Sequence, residues 1–432
     1  MSATSRGPEP IETPAIHTLS NGVRVVCDPM PGLETLALSV TVGRGARYES
    51  PDQSGWAHLL EHMVFRAAGE RTSRQIVEAI EAEGGQLNAA TGHDRTSFQV
   101  RALKGGLPLA MAVVSDLIFR PRLDAGDLAK EKRVITQEIA EAADIPDDLV
   151  FELAQEKAFD GQPLGRPILG TKASVAKARA GDLAAFHAGL YAPDRIVIAA
   201  SGAVDEAEVL ALAEQWFSTA AEAATPHAPA PPRFVGGVSA RSKRLEQAHL
   251  VMLLPALGLR DPDYFALRLF AEILGGGMSS RLFQEVRERL GLAYAIDAYV
   301  DAHADTGVLG IYAGTDAADA GQTARVAAEQ MLALIAKVDE AELSRAKAQF
   351  KASLFMARES ALARAETAAG QLLIFDRLIA SAETAAAIEA VGPADLARVG
   401  ARAVEAGHSA CAVLGPAKAM PAVEAFRTAL FG

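Results

Sequence analysis

DLAKEKRVITQE, residues 127 to 138, reads as a helix that carries acid on its apolar side. Leu128, Glu131, Val134, Ile135 and Glu138 recur at the 3.6-residue spacing of a single stripe. Such a stripe turns toward a core, where a carboxylate without a partner is strongly unfavourable. The same stretch matches ELSRAKAQFKAS, residues 342 to 353, at a shift of 342 − 127 = 215 residues, with Leu second in both and small, basic and apolar residues in similar order. Each follows a helical run that ends in an acidic turn. The match predicts an internal duplication of an α+β unit of roughly 200 residues. At that shift Glu131 falls on Ala346 and Glu138 on Ser353, so any chemistry that needs those acids belongs to the first half.

Composition agrees with a duplicated chain. At 432 residues the chain exceeds one ordinary core. Half the residues are hydrophobic but only 6% are aromatic, and alanine is abundant, which favours helix-rich α+β packing over an all-β sandwich. The stretch STAAEAATPHAPAPPRFVGG, Ser218 to Gly237, places Pro226, Pro229, Pro231 and Pro232 close together and reads as a semi-extended connector. The expected organisation is a first domain over 14–218, a connector over 219–237 and a homologous second domain over 238–432. Within the first, a hairpin at Asn21-Gly22 precedes a strand over 36–42, helices near 58 and over 74–83, strands over 87–91 and 96–103, helices over 107–118 and 127–143, and a strand over 196–201. That order predicts a mostly antiparallel sheet with helices packed on one face.

The formal net charge of −12 argues against a nucleic-acid partner and is compatible with a cationic one. Cys27 and Cys411 form no disulfide framework, MSATSRGPEPIETP lacks a signal-like apolar run, and no stretch is long enough to cross a bilayer. A cytoplasmic protein with no membrane partner is the expectation.

The partners of the two glutamates are sought in GWAHLLEHMVF, residues 55 to 65. His58, Glu61 and His62 share one helical face, while Leu59, Leu60, Met63, Val64 and Phe65 occupy the rest. His-x-x-Glu-His alone is a moderate signal, since an acidic, alanine-rich chain produces it by chance. The glutamate pair on a distant apolar stripe strengthens it. Two histidines and Glu138 make a three-ligand set of the kind that holds zinc in hydrolases. Glu61, between its ligands, is placed to act as general base on a water whose pKa the ion lowers toward about 7. Glu131, two turns before Glu138, would orient a ligand or the base.

These residues resemble the inverzincin, or pitrilysin-type, zinc metallopeptidases. In that family the third ligand follows the second histidine by roughly 75 residues, with an acidic residue seven places earlier; here 138 − 62 = 76, and Glu131 takes the earlier place. GGQLNAATGHDRTSF (84–98), PLGRPILG (163–170) and LGGGMSSRLFQEVRERLGLAY (274–294) are also similar to the family, so the likeness spans nearly the whole chain. The length resembles the half-length subunits of mitochondrial processing peptidase and their bacterial relatives. The resemblance implies one zinc per chain and a homodimer, or a heterodimer with a paralogue, closing as a clamshell on peptides or unfolded segments. It implies that Asn88 and Ala89 lie on an edge strand that pairs with substrate backbone. Arg287 and Tyr294 would reach the scissile region, with Tyr294 donating to the oxyanion. Ala90 and Ala67-Ala68 depart from the family pattern, which leaves side-chain preference open. Gly275 to Gly277 lacks the Lys-Ser/Thr of a phosphate loop and reads as a joint, and His93 as part of the turn before Thr96. The alternative is a non-catalytic partner or structural subunit of a related heterodimer.

Overall fold

Gly22, at φ +91°, closes the hairpin between β1 (Ile16–Thr18) and β2 (Arg24–Pro29). The computed structural model describes residues 14–218 and 229–432; positions 219–228 of the expected connector, including Pro226, and the segment 1–13 lie outside the described residues. The first half continues with β3 (Thr35–Val42), α1 (Trp56–Val64), β4 (Ala67–Ala68), β5 (Arg71–Thr72), α2 (Ser73–Ala82), β6 (Gln86–Thr91), β7 (Thr96–Leu103), α3 (Leu107–Phe119), α4 (Ala125–Asp144), α5 (Pro146–Ala158), α6 (Lys172–Lys177), α7 (Ala180–Leu190), β8 (Ile196–Gly202) and α8 (Glu206–Phe217). The second half contains β9 (Gly237–Ser242), β10 (Ala248–Ala256), α9 (Tyr264–Gly275), a π-helical stretch at Phe283–Arg289, β11 (Ala293–Ala302), β12 (Gly307–Thr315), α10 (Ala320–Ala336), α11 (Glu340–Ala357), α12 (Ala361–Phe375), α13 (Ser381–Ala390), α14 (Pro393–Glu405), β13 (Ala410–Gly415) and α15 (Ala422–Phe431). No helix among the described residues is long and apolar enough to cross a membrane.

Among the described residues two large sheets result, ordered β1-β2-β8-β3-β7-β6 and β9-β13-β10-β12-β11, and β4 and β5 pair by themselves as a short antiparallel ribbon. Apart from the extra β1 the orders correspond strand for strand. Each contains a single parallel pair, β2 with β8 and β13 with β9, and is otherwise antiparallel, as the strand-helix-strand order predicts. The 215-residue repeat is visible in detail. α4 and α11 begin 340 − 125 = 215 residues apart, and their caps Asp124 and Asp339, 339 − 124 = 215 apart, each accept from the amides two and three residues on.

Each half lays its own helices on one face of its sheet. On the first sheet, Leu36, Leu38, Val40 and Val42 of β3 face a core shared with α1, α2 and α3. The opposite face is also covered, and by the other half: Val26, Val197 and Ala199 pack against Ala365, Ala368, Ala369 and Leu372 of α12. Reciprocally, Val150, Leu153 and Ala154 of α5 pack against Val251, Leu253, Ala410 and Ala412 of the second sheet. α5 and α12 start 361 − 146 = 215 residues apart, so the repeats exchange equivalent helices. Arg364 fixes α12 in place by a two-pronged bond to Asp28, and Arg24 donates to the Leu372 carbonyl at 2.9 Å.

Candidate metal centre

α1 begins with amides that need acceptors from outside the helix. Glu49 supplies them: Oε1 accepts from the Ala57 amide at 2.7 Å and Oε2 from the Gly55 amide at 3.0 Å. Burial pushes the Glu49 carboxyl up to about 7, against the opposing pull of those amides and of Arg166. Gly55 turns into the helix at φ +88°, and a Cβ there would stand 2.5 Å from the Leu169 carbonyl oxygen. Gly170 is as tight, since its Cβ would meet the Ser54 carbonyl oxygen at 2.3 Å. The 163–170 stretch therefore braces the start of α1, and Arg166 donates to the Glu49 carbonyl at 2.5 Å.

Leu59, Leu60, Met63 and Val64 of α1 are fully buried, which turns His58, Glu61 and His62 to the remaining, half-buried side. α4 packs there. Its stripe buries Leu128, Glu131 and Ile135 and brings Glu138 to the histidines. One ligand atom each from His58, His62 and Glu138 lies within 4.8 Å of the others, with His62 Nε2 3.6 Å from Glu138 Oε2. Two ligands about 2.1 Å from a tetrahedral ion stand about 3.4 Å apart, so the spacing suits a shared ion better than a hydrogen bond. Two buried atoms, Nδ1 of His58 and Oε2 of Glu138, have no hydrogen-bond partner. A cation shared by the two side chains is a partner able to satisfy that carboxylate together with the histidines, whichever ring nitrogen of His58 faces it. Burial, and then the neighbouring His62, lowers the His58 pKa to about 4, leaving a neutral ring with a free lone pair. Two imidazoles and one carboxylate in this arrangement fit zinc.

The surroundings order these groups. Glu131, only 2% exposed, receives His62 Nδ1 at 2.9 Å and also accepts from Arg66. A donating Nδ1–H leaves His62 Nε2 as the lone-pair nitrogen facing Glu138. Of the two positions the sequence allows, Glu131 therefore contacts a histidine and not Glu61. Glu61 accepts from Thr91 Oγ1 at 2.5 Å, and burial raises its pKa despite that bond.

The other expected residues form no hydrogen bond or ion pair with this cluster among the described residues, although β6 reaches it through Thr91. Asn88 and Ala89 lie on β6, the outer strand of the first sheet, with Asn88 exposed and Ala89 against the core. Arg287 lies in the π-helical stretch, its guanidinium 4.7 Å from the Phe283 ring and 5.2 Å from the Tyr294 ring. Tyr294, 75% exposed, is the second residue of β11 at the outer edge of the second sheet. Among the described residues no hydrogen bond or ion pair joins either to the first-half cluster. Ala67-Ala68 forms β4, and His93 occupies the β6–β7 turn as expected. Sequence reading missed Glu49, Arg66 and Thr91. It also missed Arg47, which joins Asp94 of the first half to Asp305 of the second.

Fold and site together define a duplicated α+β protein whose first copy alone keeps a His-x-x-Glu-His centre with a distant glutamate. The chain belongs to the M16 peptidase family. Residues 24–172 match the family described as insulinase (peptidase family M16), and residues 177–350 match the peptidase M16 inactive domain. It is 34% identical over 407 residues to an uncharacterized zinc protease of Rickettsia bellii, covering 93% of this chain and 97% of that one. An uncharacterized zinc protease of Bacillus subtilis is 34% identical over 345 residues, covering 80% and 84%. The fold is similar to the crystal structure of a protease from Helicobacter pylori, with TM-score 0.87, 21% identity and coverage of 94% and 100%. It is also similar to a chain of complex III2 from Candida albicans, with TM-score 0.84, 21% identity and coverage of 97% and 100%. The resemblance read from His58 to Glu138 is thus borne out at the level of family and fold.

Proposed function

We propose that the chain is a zinc-dependent endopeptidase acting on peptides or unfolded polypeptide segments, with one zinc per chain held by His58, His62 and Glu138. The observation that carries the reading is the convergence of those three groups beside a spare carboxylate, Glu61, that is not needed as a ligand. Zinc bound there would polarise the scissile carbonyl and the attacking water. Glu61 takes the proton from that water and passes it to the leaving amine. Glu131 holds His62 in the ligating tautomer. Asn88 and Ala89, on an outer strand, pair with substrate backbone, so affinity comes with little sequence demand. Tyr294 donates to the oxyanion and Arg287, held between two aromatic rings, grips the chain near the cleaved bond. In this reading 14–218 and 238–432 are the homologous units and 219–237 their connector.

Tyr294 and Arg287 stand apart from the centre within one chain, which favours a second copy or a paralogue completing an enclosed chamber. Such a chamber admits flexible chains and excludes folded ones. The names of the Rickettsia and Bacillus relatives support a zinc protease. Two free, buried cysteines fit a cytoplasmic setting. The rival, a non-catalytic or structural subunit, is supported by the fold shared with the complex III2 chain and by the match of residues 177–350 to the M16 inactive domain.

The test is zinc content together with cleavage of a quenched peptide. Wild type is expected to hold about one zinc and cleave, while Glu61→Gln keeps the zinc and loses on the order of a hundredfold or more in rate. Zinc-free wild-type protein, or full activity in Glu61→Gln, would overturn the reading.

A further inference from the structure

We propose that Thr91 is a positioning residue for Glu61, and that the second half holds Thr91 in place through an ion-pair cluster centred on the buried Arg47 and the half-buried Asp94. The inference rests on the reading of Glu61 as the base.

Glu61 has three rotatable side-chain bonds, and among the described residues Thr91 is its hydrogen-bond partner, with Oγ1 donating at 2.5 Å. Thr91 is the last residue of β6 and pairs with Thr96 across the hairpin. Its aim is therefore set by the turn at 92–95. That turn is clasped from outside the sheet: the Ala46 amide donates to the Gly92 carbonyl at 3.0 Å and the Arg47 amide to the His93 carbonyl at 2.9 Å. Thr96 Oγ1 donates to the Arg44 carbonyl at 3.3 Å.

The clasp reaches the other half. Arg47, 7% exposed, donates Nη1 to Asp94 Oδ1 at 3.0 Å and binds Asp305 with both prongs, at 3.0 and 2.5 Å. Asp94 Oδ2 receives His303 Nδ1 at 2.8 Å. His303 and Asp305 belong to the β11–β12 turn, where the His303 amide donates to the Thr306 carbonyl at 2.8 Å. A bidentate arginine pair is directional, and here the arginine is buried, so the second-half turn fixes the first-half turn in angle as well as distance. Contacts run without a gap from Asp305 through Arg47 and Asp94 to the turn, to Thr91 and to Glu61. An element that only tied the halves together would not need to end on the base.

A misplacement of a catalytic group by about an ångström costs on the order of a hundredfold in rate. Four proteins decide the matter, all full-length and zinc-loaded: Thr91→Val, Thr91→Ser, Asp305→Asn and the Thr91→Val/Asp305→Asn pair. Thr91→Val is expected to lower kcat on the order of tenfold or more with KM within twofold and zinc content unchanged, and Thr91→Ser, which keeps the hydroxyl, to restore most of it. Asp305→Asn should lower kcat in the wild-type background and add little to Thr91→Val, since both act through one contact. Carbodiimide labelling of Glu61, followed by peptide mass spectrometry, reads its restraint without activity, and should run severalfold faster in Thr91→Val and in Asp305→Asn. Equal labelling in all proteins, an unchanged kcat in Thr91→Val, or fully additive effects of the two changes would overturn the proposal. If wild type does not cleave at all, the peptidase reading fails, and the labelling rates still decide whether Thr91 holds Glu61.

Discussion

Replacing Glu131 by alanine tests how far a buried carboxylate that touches no ion sets the metal affinity. Its Oε2 lies 2.9 Å from His62 Nδ1 and its other oxygen accepts from Arg66. Without it His62 is free to rotate and to exchange tautomers, and losing such a partner weakens metal binding about 10- to 100-fold, or about 1.4–2.7 kcal/mol. The metal-free protein loses less than the 3–5 kcal/mol of a sealed ion pair, because the Arg66 side chain is 36% exposed and can rehydrate. Zinc linkage separates the two effects. At free zinc about 100 times the wild-type Kd, wild type gains about 2.7 kcal/mol; a site weakened about 30-fold gains about 0.9 kcal/mol at the same zinc. Urea unfolding in zinc-buffered solution measures both increments, and Glu131→Gln, which keeps an acceptor for His62, should fall between them. Equal zinc increments for wild type and Glu131→Ala would refute the argument that Glu131 orders the ligand.

Three further outcomes are expected. Glu138→Ala should bind zinc far more weakly than wild type in chelator competition, and a fully loaded variant at wild-type affinity would remove Glu138 as a ligand. Leu372→Ala deletes a fully buried contact between α12 and the first sheet and should destabilise by about 2–5 kcal/mol in urea, with hydrogen exchange rising in β2 and β8 of the first half; exchange rising only around α12 would argue against the exchanged packing. The link between the halves should depend on pH. Although burial works the other way, the hydrogen bond from His303 and the charges of His303 and Arg47 hold Asp94 down at about 2. Burial likewise opposes, but Asp94 and then Asp301 outweigh it and raise His303, with Arg47 on the opposing side. A depressed carboxyl stabilises above about pH 4 and loses that contribution as pH falls toward 2, while a raised histidine stabilises below about 6.5 and loses it as pH climbs through its folded value. The stability difference between wild type and Asp94→Asn should therefore be largest between about pH 4 and 6.5, and a difference that grew above pH 8 would contradict the pairing.

What could be read in advance was what leaves a periodic trace. Glu131 and Glu138 interrupt an apolar stripe, and His58 and His62 share a helical face, so each betrays itself through spacing along one helix. The duplication was visible because α4 and α11 keep similar residues in the same order, down to their aspartate caps. The exchange of α5 and α12 left no such trace. Their apolar faces would be satisfied by either sheet, and nothing in 146–158 or 361–375 says which one covers them. Thr91 and Arg47 were hidden for a related reason. A threonine ending a strand is ordinary, and only the β6–β7 register sets its hydroxyl beside a helix 30 residues earlier. Arg47 meets Asp305 across 258 residues of chain, beyond the reach of any local pattern.

The exchanged helices impose a schedule on synthesis. When the ribosome has finished β8, at residue 202, the first sheet has all its strands but only one clothed face. The helix that clothes the other ends at residue 375, a further 375 − 202 = 173 residues downstream, or about 9–35 s at ordinary elongation rates of about 5–20 residues/s. Throughout that interval the nascent chain displays Val26, Val197 and Ala199 to whatever is nearby, and α5 waits for strands not yet translated. Slow codons ahead of α12 would lengthen the exposure and raise the yield of aggregate, whereas trigger-factor-like holdases would find their binding site on this sheet and lose it once residue 375 has cleared the exit tunnel.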